Sequence, residues 1–229
     1  MTRLNRTRLL FGDTGISKLK NATVMVVGCG AVGSFAIEAL ARSGVGHLIV
    51  VDFDSVEETN INRQLFALDS TVGQKKVHVA AHRIHDINPE ITVEALDLFF
   101  DENTEITVTP DYIIDAIDSI SDKMLLMLRA CETDAVFFSS MGAARKLDSS
   151  RISVAEFWKV KGCPLGSVLR RKFRASGEFP IKKFKCVYSD EQPSAFVEGG
   201  LGSLHHITAV FGLTMAGLVV NDVCAKIKA

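Results

Sequence analysis

The chain has 229 residues, 47% of them hydrophobic, and a formal net charge of −1 at pH 7. A chain of this length and composition buries one large core, so we predict a single domain over residues 1–229. The net charge excludes a uniformly basic surface for a polyanion. Residues 145–185, however, hold twelve Lys or Arg against three acidic residues, which predicts a local basic face.

The cysteines and the apolar segments predict the compartment. The five cysteines are scattered and form no C-x-x-C pair, which favours a reducing, cytoplasmic location and argues against a structural zinc site. The N-terminal "MTRLNRTRLLFGDTG" lacks the apolar run of a signal peptide. The longest apolar segment, residues 207–220, is short for a membrane span. It predicts a buried closing helix, and we expect no membrane contact.

Hydrophobic runs and helical patterns alternate up to Met141. This order predicts an α/β fold, with a Rossmann-like, mostly parallel sheet and helices on both faces. Beyond Met141, "RISVAEFW" predicts an antiparallel strand, and a basic segment follows up to about Gln192. We expect this additional antiparallel, basic portion to belong to the same domain. The predicted strands cover residues 23–27, 47–52, 91–96, 112–115 and 135–139, and the predicted helices cover residues 33–43, 75–87 and 121–133.

A glycine-rich turn connects the first predicted strand to a helix. Gly28, Gly30 and Gly33 match G-x-G-x-x-G, a pattern in which the backbone approaches a phosphate at a helix N-terminus. Asp52 and Asp54 end the next strand, where carboxylates accept hydrogen bonds from ribose hydroxyls. Taken alone, this motif favours NAD and an oxidoreductase, and a purely structural strand–turn–helix is the other interpretation.

The residues beyond the acidic pair indicate a larger anionic ligand. Asn60, Arg63, Gln64 and Lys76 follow at the predicted carboxyl end of the sheet, and additional cations suit a triphosphate better than a dinucleotide. Asp118 closes another strand, where a carboxylate can hold the magnesium that bridges phosphates. Other interpretations stay open: a solvated helix charge for Lys76, a helix N-cap for Asp118 and a surface ion pair for Arg63.

Four separated motifs carry a family resemblance. In this order, "GCGAVGS", "DFDSVEETNINRQ", "VGQKK" and "DAIDS" resemble the ThiF/MoeB/HesA superfamily, relatives of ubiquitin-activating enzymes. The resemblance implies ATP and Mg²⁺ as ligands, and adenylation of a substrate carboxylate with release of pyrophosphate. It divides the chain into an ATP-binding part, residues 1–142, and a substrate-side part, residues 143–229. By the match, Asp52 binds the ribose, Gln64 lies beside the phosphates, Asp118 holds magnesium, and the phosphates are bound by Asn60, Arg63 and Lys76.

The N-terminal "LNRT" is similar to a short arginine motif of the same family. In that family the arginine, here Arg6, reaches the ATP site of the neighbouring subunit. The resemblance therefore implies a homodimer.

The absence of C-x-x-C pairs bears on which carboxylate is activated. Sulfur-carrier-activating members usually have a zinc site of two such pairs, and this chain has none. Its "SVLRRKFRASG" and "KKFKCVYSDEQP" instead resemble the tRNA threonylcarbamoyladenosine dehydratase branch. That implies adenylation of the threonine carboxylate of a modified tRNA adenosine, followed by cyclisation with net loss of water. Adenylation of the C-terminal glycine of a ubiquitin-like sulfur carrier is the alternative. The family also admits a cysteine desulfurase or sulfur-acceptor protein as a partner, and a catalytically silent nucleotide-binding scaffold is a third interpretation.

The basic segment is the predicted tRNA-binding surface. Its cations alternate with Phe173 and Phe184, which can stack on bases. The alternative is that the apolar positions of "KKFKCVYS" form one buried face of a strand. The cations that we expect to contact tRNA phosphates are Arg170, Arg171, Lys172, Arg174, Lys182, Lys183 and Lys185.

The residues before the closing helix are a second candidate region. Members of the dehydratase branch can carry a cysteine there, whereas this chain has Val197 and Glu198, which disfavours a thioester at that place. Cys186 matches a cysteine of the branch better, and it is either catalytic or an inert core residue. His205 and His206 are interpreted as packing or capping residues. We expect close backbone packing at three glycines, Gly199, Gly200 and Gly202.

Overall fold

One seven-stranded sheet organises the computed structural model, which describes residues 3–101, 104, 109–193 and 200–225. In this described part, the strands are β1 Thr23–Val27, β2 His47–Val51, β3 Thr92–Leu96, β4 Tyr112–Asp115, β5 Val136–Ser140, β6 Ile152–Glu156 and β7 Lys185–Ser189. Their order in the sheet is β3-β2-β1-β4-β5-β7-β6. All neighbouring pairs are parallel except β6 and β7, which are antiparallel. The predicted fold class, including the antiparallel strand near the C-terminus, is confirmed.

Six α-helices accompany this sheet within the described residues: α1 Asn5–Asn21, α2 Gly33–Ser43, α3 Lys76–Ile87, α4 Ile120–Glu132, α5 Pro164–Ser176 and α6 His205–Ala225. Buried hydrophobic residues form two groups, one on each face of the sheet. Successive residues of β1 belong to different groups, because side chains alternate between the faces of a strand. Val24 and Val26 pack with α2, α3 and α6, whereas Met25 and Val27 pack with α4 and α5. The core therefore has two layers, one on each face of the sheet.

Helices α1 and α5 were not predicted from the sequence. Within α1, Gly12 has φ 66° and ψ −176° and interrupts the helix, and few of the helix's residues are buried, so its apolar pattern is weak. For α5 the signals were present, but its residues were included in the basic segment and no helix was predicted there. Pro164 occupies the first turn, and Gly177 ends the helix in the left-handed region at φ 75°, which is typical of helix ends.

Helix α6 is apolar on all sides. Among the described residues it is the one helix long and apolar enough to cross a membrane by length and composition, and 56% of its most apolar window is buried within the fold. It packs against α2 and α1, as expected of a closing core helix. A Cβ at Gly212 would lie 2.3 Å from the carbonyl oxygen of Val32 and 2.9 Å from the amide nitrogen of Ala36. Close packing of α6 on α2 thus requires a glycine at position 212.

The prediction of close packing at the glycines before α6 was wrong for Gly200 and Gly202. A Cβ at either position would have no atom within 4 Å. Gly200 instead has φ 131°, a conformation that side chains disfavour. Gly199 lies outside the described residues.

We expect Gly212→Ala to lower the free energy of unfolding by about 1–3 kcal/mol, because the new methyl group forces α6 away from α2. The matched control is Gly217→Ala on the same helix, where a Cβ would meet no atom within 4 Å. There alanine raises stability by up to about 1 kcal/mol through its helix propensity. Denaturant unfolding of both variants measures the difference, and equal stabilities would contradict the account of α6 packing.

Candidate active site

A cavity of about 610 Å³ lies at the carboxyl ends of β1, β2, β4 and β5. The carboxyl ends of parallel strands meet at one edge of a sheet, which is where ligands bind in such folds. The structure brings nearly all of the predicted site residues together here. Those that line the cavity are Gly28, Gly30, Asp52, Asp54, Asn60, Arg63, Gln64, Lys76 and Asp118.

The three glycines of the turn after β1 have different roles. A Cβ at Gly28, where φ is 96°, would lie 2.8 Å from the carbonyl oxygen of Ala116, and a Cβ at Gly33 would lie 1.7 Å from the carbonyl oxygen of Gly28. These two glycines permit backbone packing. Gly30 is different, because a Cβ there would meet only Gln64 Nε2, at 3.8 Å. Its backbone is therefore the one that leaves room for a phosphate.

Asp52 lies at the end of β2 with its carboxylate held by backbone donors. The amide of Cys29 donates to Oδ2 at 2.6 Å, and the amide of Asp54 donates to Oδ1 at 2.8 Å. Burial raises the pKa of Asp52 above its ordinary value. Each carboxylate oxygen can accept more than one hydrogen bond, so this fixed group suits a ribose.

Lys76 opens α3 and is 6% exposed. Its ammonium donates to Asp54 Oδ2 at 2.7 Å. The alternative of a solvated helix charge is therefore wrong. Asp54 also lines the cavity and pairs with this lysine, and its contact with a ribose stays a prediction.

Arg63 and Asn60 belong to the segment that closes one side of the cavity. The guanidinium of Arg63 donates to Thr59 O at 2.7 Å and to Asn62 Oδ1 at 3.0 Å. No ion pair among the residues that the structure describes involves Arg63, so the surface ion pair is not found. The buried Asn60 accepts the amide hydrogen of Glu57 and holds the short helical turn before Arg63. The hydrogen bonds of Arg63 and the turn held by Asn60 together orient the guanidinium of Arg63, which lines the cavity.

Asp118 follows β4 with an exposed carboxylate. The N-cap of α4 is Ser119, so the alternative N-cap role of Asp118 is wrong. Asp122, one helical turn later, also lines the cavity. In the described part of the chain, no three His, Cys, Asp or Glu side chains form a candidate metal cluster. Mg²⁺ usually binds through one or two carboxylates together with substrate phosphates, and this donor set fits such an ion.

Beneath Asp118, the structure places an ion pair that the sequence analysis missed. Asp115 and Lys123 are both fully buried, with Lys123 Nζ 2.8 Å from Asp115 Oδ2. Asp115 belongs to the "DAIDS" motif, and no role was predicted for Lys123. The spacing of eight residues across a turn and a helix gave no signal for this contact.

Arg6 lies exposed on α1 and does not line the cavity of its own chain. Gly33, the other predicted residue outside the lining, lies behind the turn, as described above. A role for Arg6 in the site of a neighbouring subunit stays a prediction.

The basic segment differs from expectation in its aromatic residues. Phe173 and Phe184 are buried in the core, so the stacking role was wrong and the buried-face alternative is correct. Within residues 145–185, the exposed aromatic rings are those of Trp158 and Phe179, 36% and 48% exposed, with centroids 5.9 Å apart. Arg174 lies over the Trp158 ring at 5.8 Å.

The remaining candidates before and within α6 are structural where they are described. Cys186 is fully buried, and burial raises its thiol pKa well above the ordinary value, so it is a core residue. His205 packs edge-on against Phe35 with ring centroids 4.9 Å apart. A hydrogen bond of 3.3 Å joins His206 Nε2 and Leu147 O. The packing interpretation is confirmed for His205, whereas the contact found for His206 is a hydrogen bond. Val197 and Glu198 lie outside the described residues.

Comparison with known proteins shows the family. Residues 4–226 match the ThiF family. The chain belongs to the ThiF family. A relative from Bacillus subtilis, tRNA threonylcarbamoyladenosine dehydratase, is 42% identical in an alignment of 247 positions that covers 99% of this chain and 96% of the relative.

A solved structure that is similar to this chain contains ATP. The crystal structure of E. coli tRNA N6-threonylcarbamoyladenosine dehydratase, TcdA, in complex with ATP has a TM-score of 0.90 at 33% identity, covering 98% of this chain and 95% of that chain. By contrast, the molybdopterin-synthase adenylyltransferase of Salmonella typhimurium is 38% identical over 125 residues, or 53% of this chain and 50% of the relative. Similarity to these two dehydratases thus covers nearly the whole chain, and similarity to this adenylyltransferase covers about half.

Proposed function

We propose that the protein is an ATP-dependent adenylating enzyme that dehydrates threonylcarbamoyladenosine in tRNA. The observation that carries the proposal is the 42% identity to the Bacillus subtilis dehydratase over 99% of the chain. The cavity supports it, because the residues expected around a nucleotide lie together at the carboxyl edge of the sheet.

Adenylation solves a chemical problem of the substrate. A carboxylate is a poor electrophile because its negative charge repels nucleophiles. When a carboxylate oxygen bonds to the α-phosphorus of ATP, the bond from that phosphorus to pyrophosphate breaks, and the oxygen becomes part of a good leaving group. A nucleophile already tethered in the same side chain then attacks the carbonyl carbon and displaces AMP. Tethering gives a high effective concentration, so cyclisation needs no protein nucleophile.

The residues of the cavity fit this reaction. Charge concentrates on the α-phosphate as the new bond forms, and preorganised cations stabilise it. We assign that role to Arg63 and Lys76, which line the cavity. The turn at Gly30 and the start of α2 bind phosphate oxygens, and Asp52 binds the ribose. When bound, Mg²⁺ neutralises phosphate charge, and Asp118 is the residue that would hold it.

Two other activities have less support. Activation of a sulfur carrier, with a cysteine desulfurase or sulfur-acceptor partner, corresponds to relatives that match only about half of the chain. An NAD-dependent oxidoreductase binds the pyrophosphate of its dinucleotide at the glycine turn and needs no additional cations for it. The convergence of Arg63, Lys76 and Asp118 on the cavity favours a triphosphate instead.

The tRNA contacts are proposed for α5 and the chain around β7. The cations of this segment are exposed or half-buried, so they can neutralise phosphates. Trp158 and Phe179 replace the buried phenylalanines as the exposed rings beside them. The proposed phosphate contacts are Arg170, Arg171, Lys172, Arg174, Lys182, Lys183 and Lys185.

The proposal includes a cytoplasmic homodimer. The five cysteines are all free and buried, which suits a reducing compartment. Arg6 is exposed on α1, outside its own cavity, and is available to complete the site of a second copy. One domain without zinc, with the ATP site in residues 1–142, remains part of the proposal.

The first prediction concerns the product. Incubation with ATP, Mg²⁺ and tRNA containing threonylcarbamoyladenosine should remove one water from that nucleoside, as measured by mass spectrometry of the digested tRNA. Arg63→Ala should slow the reaction by at least about 100-fold, because a preorganised transition-state donor is lost. Arg42→Ala is the control, since Arg42 pairs with Glu38 on α2 outside the cavity. An unchanged mass, with pyrophosphate exchange on addition of a Gly-Gly-ended carrier protein, would reject the dehydratase.

The second prediction concerns the dimer. Arg6→Ala and Arg63→Ala should each inactivate the enzyme, and a refolded equimolar mixture should recover about a quarter of the wild-type activity. Half of randomly paired dimers combine the two variants, and each then contains one complete site. Recovery requires Arg6 to act across the interface. A mixture as inactive as its components would show that Arg6 does not act in trans.

A further inference from the structure

A buried ion pair lies between β4 and α4, directly below the cavity. Asp115 and Lys123 are both 0% exposed, and Lys123 Nζ is 2.9 Å from Asp115 Oδ1 and 2.8 Å from Oδ2. The hydroxyl of Ser139 donates to Oδ2 at 2.6 Å. Removing two charges from water costs free energy that their attraction often fails to recover, so such a pair is weak evidence for a stabilising role. Its other contacts indicate a different role.

The pair holds one residue of the turn after β4 by both of its backbone polar groups. The amide of Ile117 donates to Asp115 Oδ1 at 3.0 Å, and the carbonyl oxygen of Ile117 accepts from Lys123 Nζ at 2.7 Å. Charge-assisted hydrogen bonds of this kind are stronger than neutral ones. The peptide groups on both sides of Ile117 are therefore fixed.

The neighbours of Ile117 belong to the nucleotide site. Ala116 packs its carbonyl group against Gly28 of the phosphate-binding turn, and Asp118 presents its exposed carboxylate to the cavity. A rotation of the peptide at Ile117 would move both of them. The conformation of this turn therefore sets the distance between the carboxylate of Asp118 and the proposed phosphate-binding turn.

We propose that Asp115 and Lys123 are positioning residues for Asp118. They fix the turn of residues 116–118, so that the carboxylate of Asp118 meets a metal ion bound to the phosphates without reorganisation. Outer partners that orient a metal-binding carboxylate commonly change metal affinity when they are removed. This inference rests on the assignment of Asp118 to Mg²⁺ in the proposed function.

The test variant is Asp115→Asn/Lys123→Met. It removes the hydrogen bond to Ile117 O and leaves no unpaired buried charge, which a single substitution would leave. The matched control is Ser139→Ala, because Ser139 contacts the same carboxylate and does not bond to Ile117. Thermal unfolding verifies that each full-length variant is folded at the temperature of the measurement.

The readout is the affinity for a non-hydrolysable ATP analogue, measured by calorimetry with and without Mg²⁺. The test variant should need about 10- to 100-fold more Mg²⁺ for the same gain in affinity, whereas Ser139→Ala should keep the wild-type requirement. In an Asp118→Asn background, the double substitution should cause no further loss, because the pair acts through Asp118.

Three results would overturn the inference. A wild-type Mg²⁺ requirement in the test variant, together with a raised requirement in Asp118→Asn, would reject the positioning role alone and leave the proposed function intact. A wild-type requirement in Asp118→Asn itself would instead reject the assignment of that carboxylate in the proposed function. An equal effect of Ser139→Ala would show that the whole buried network matters, and not the contact with Ile117.

Discussion

The turn after β1 touches the turn after β4 through backbone atoms, and the site depends on this contact. A side chain at Gly28 would collide with the carbonyl group of Ala116, so glycine is required there for reasons of packing. Because β1 and β4 are neighbouring parallel strands, their carboxyl ends lie at one edge of the sheet. The contact brings the proposed phosphate-binding turn close to the turn that carries the carboxylate of Asp118. Arg63 and Lys76, from the segment after β2, line the same cavity.

Site residues could be predicted from the sequence where a ligand-binding residue type lies at the end of a strand or the start of a helix. The glycine spacing, Asp52 and Lys76 could be predicted because a strand end and a helix start restrict which residues reach a ligand. Lys123 could not be predicted, since a lysine on an amphipathic helix is normally solvated. Its burial depends on Asp115, which lies on a different element. Contacts of this kind come from tertiary packing, which a local pattern does not contain.

The C-terminal portion was harder to predict for a related reason. In α5, exposed cations alternate with Leu169 and Phe173, both of which are buried. From the sequence we expected a basic segment and left open whether its phenylalanines stack on bases or are buried, because the charges dominate the composition. The structure instead has a helix whose apolar side completes the core and whose cations remain at the surface. Charge was therefore a good guide to the exposed face and a poor guide to the fold.

Two parts of the molecule thus contribute differently to the proposed reaction. The cavity provides general carboxylate activation, which explains why relatives with different substrates share part of the chain. The Bacillus subtilis dehydratase matches nearly all of it, which supports the proposed tRNA substrate. Exposed cations and the rings of Trp158 and Phe179 offer the features that an RNA requires.

Transfer of oxygen from the substrate to AMP tests carboxylate adenylation most directly. The tRNA substrate would carry ¹⁸O in both oxygens of the threonine carboxylate, and mass spectrometry would examine the AMP formed in a single turnover. We predict that AMP gains one ¹⁸O atom and that the cyclised nucleoside keeps the other, because the carboxylate oxygen that attacks the α-phosphate leaves with it. Unlabelled AMP, or label in inorganic phosphate formed together with ADP, would contradict the account.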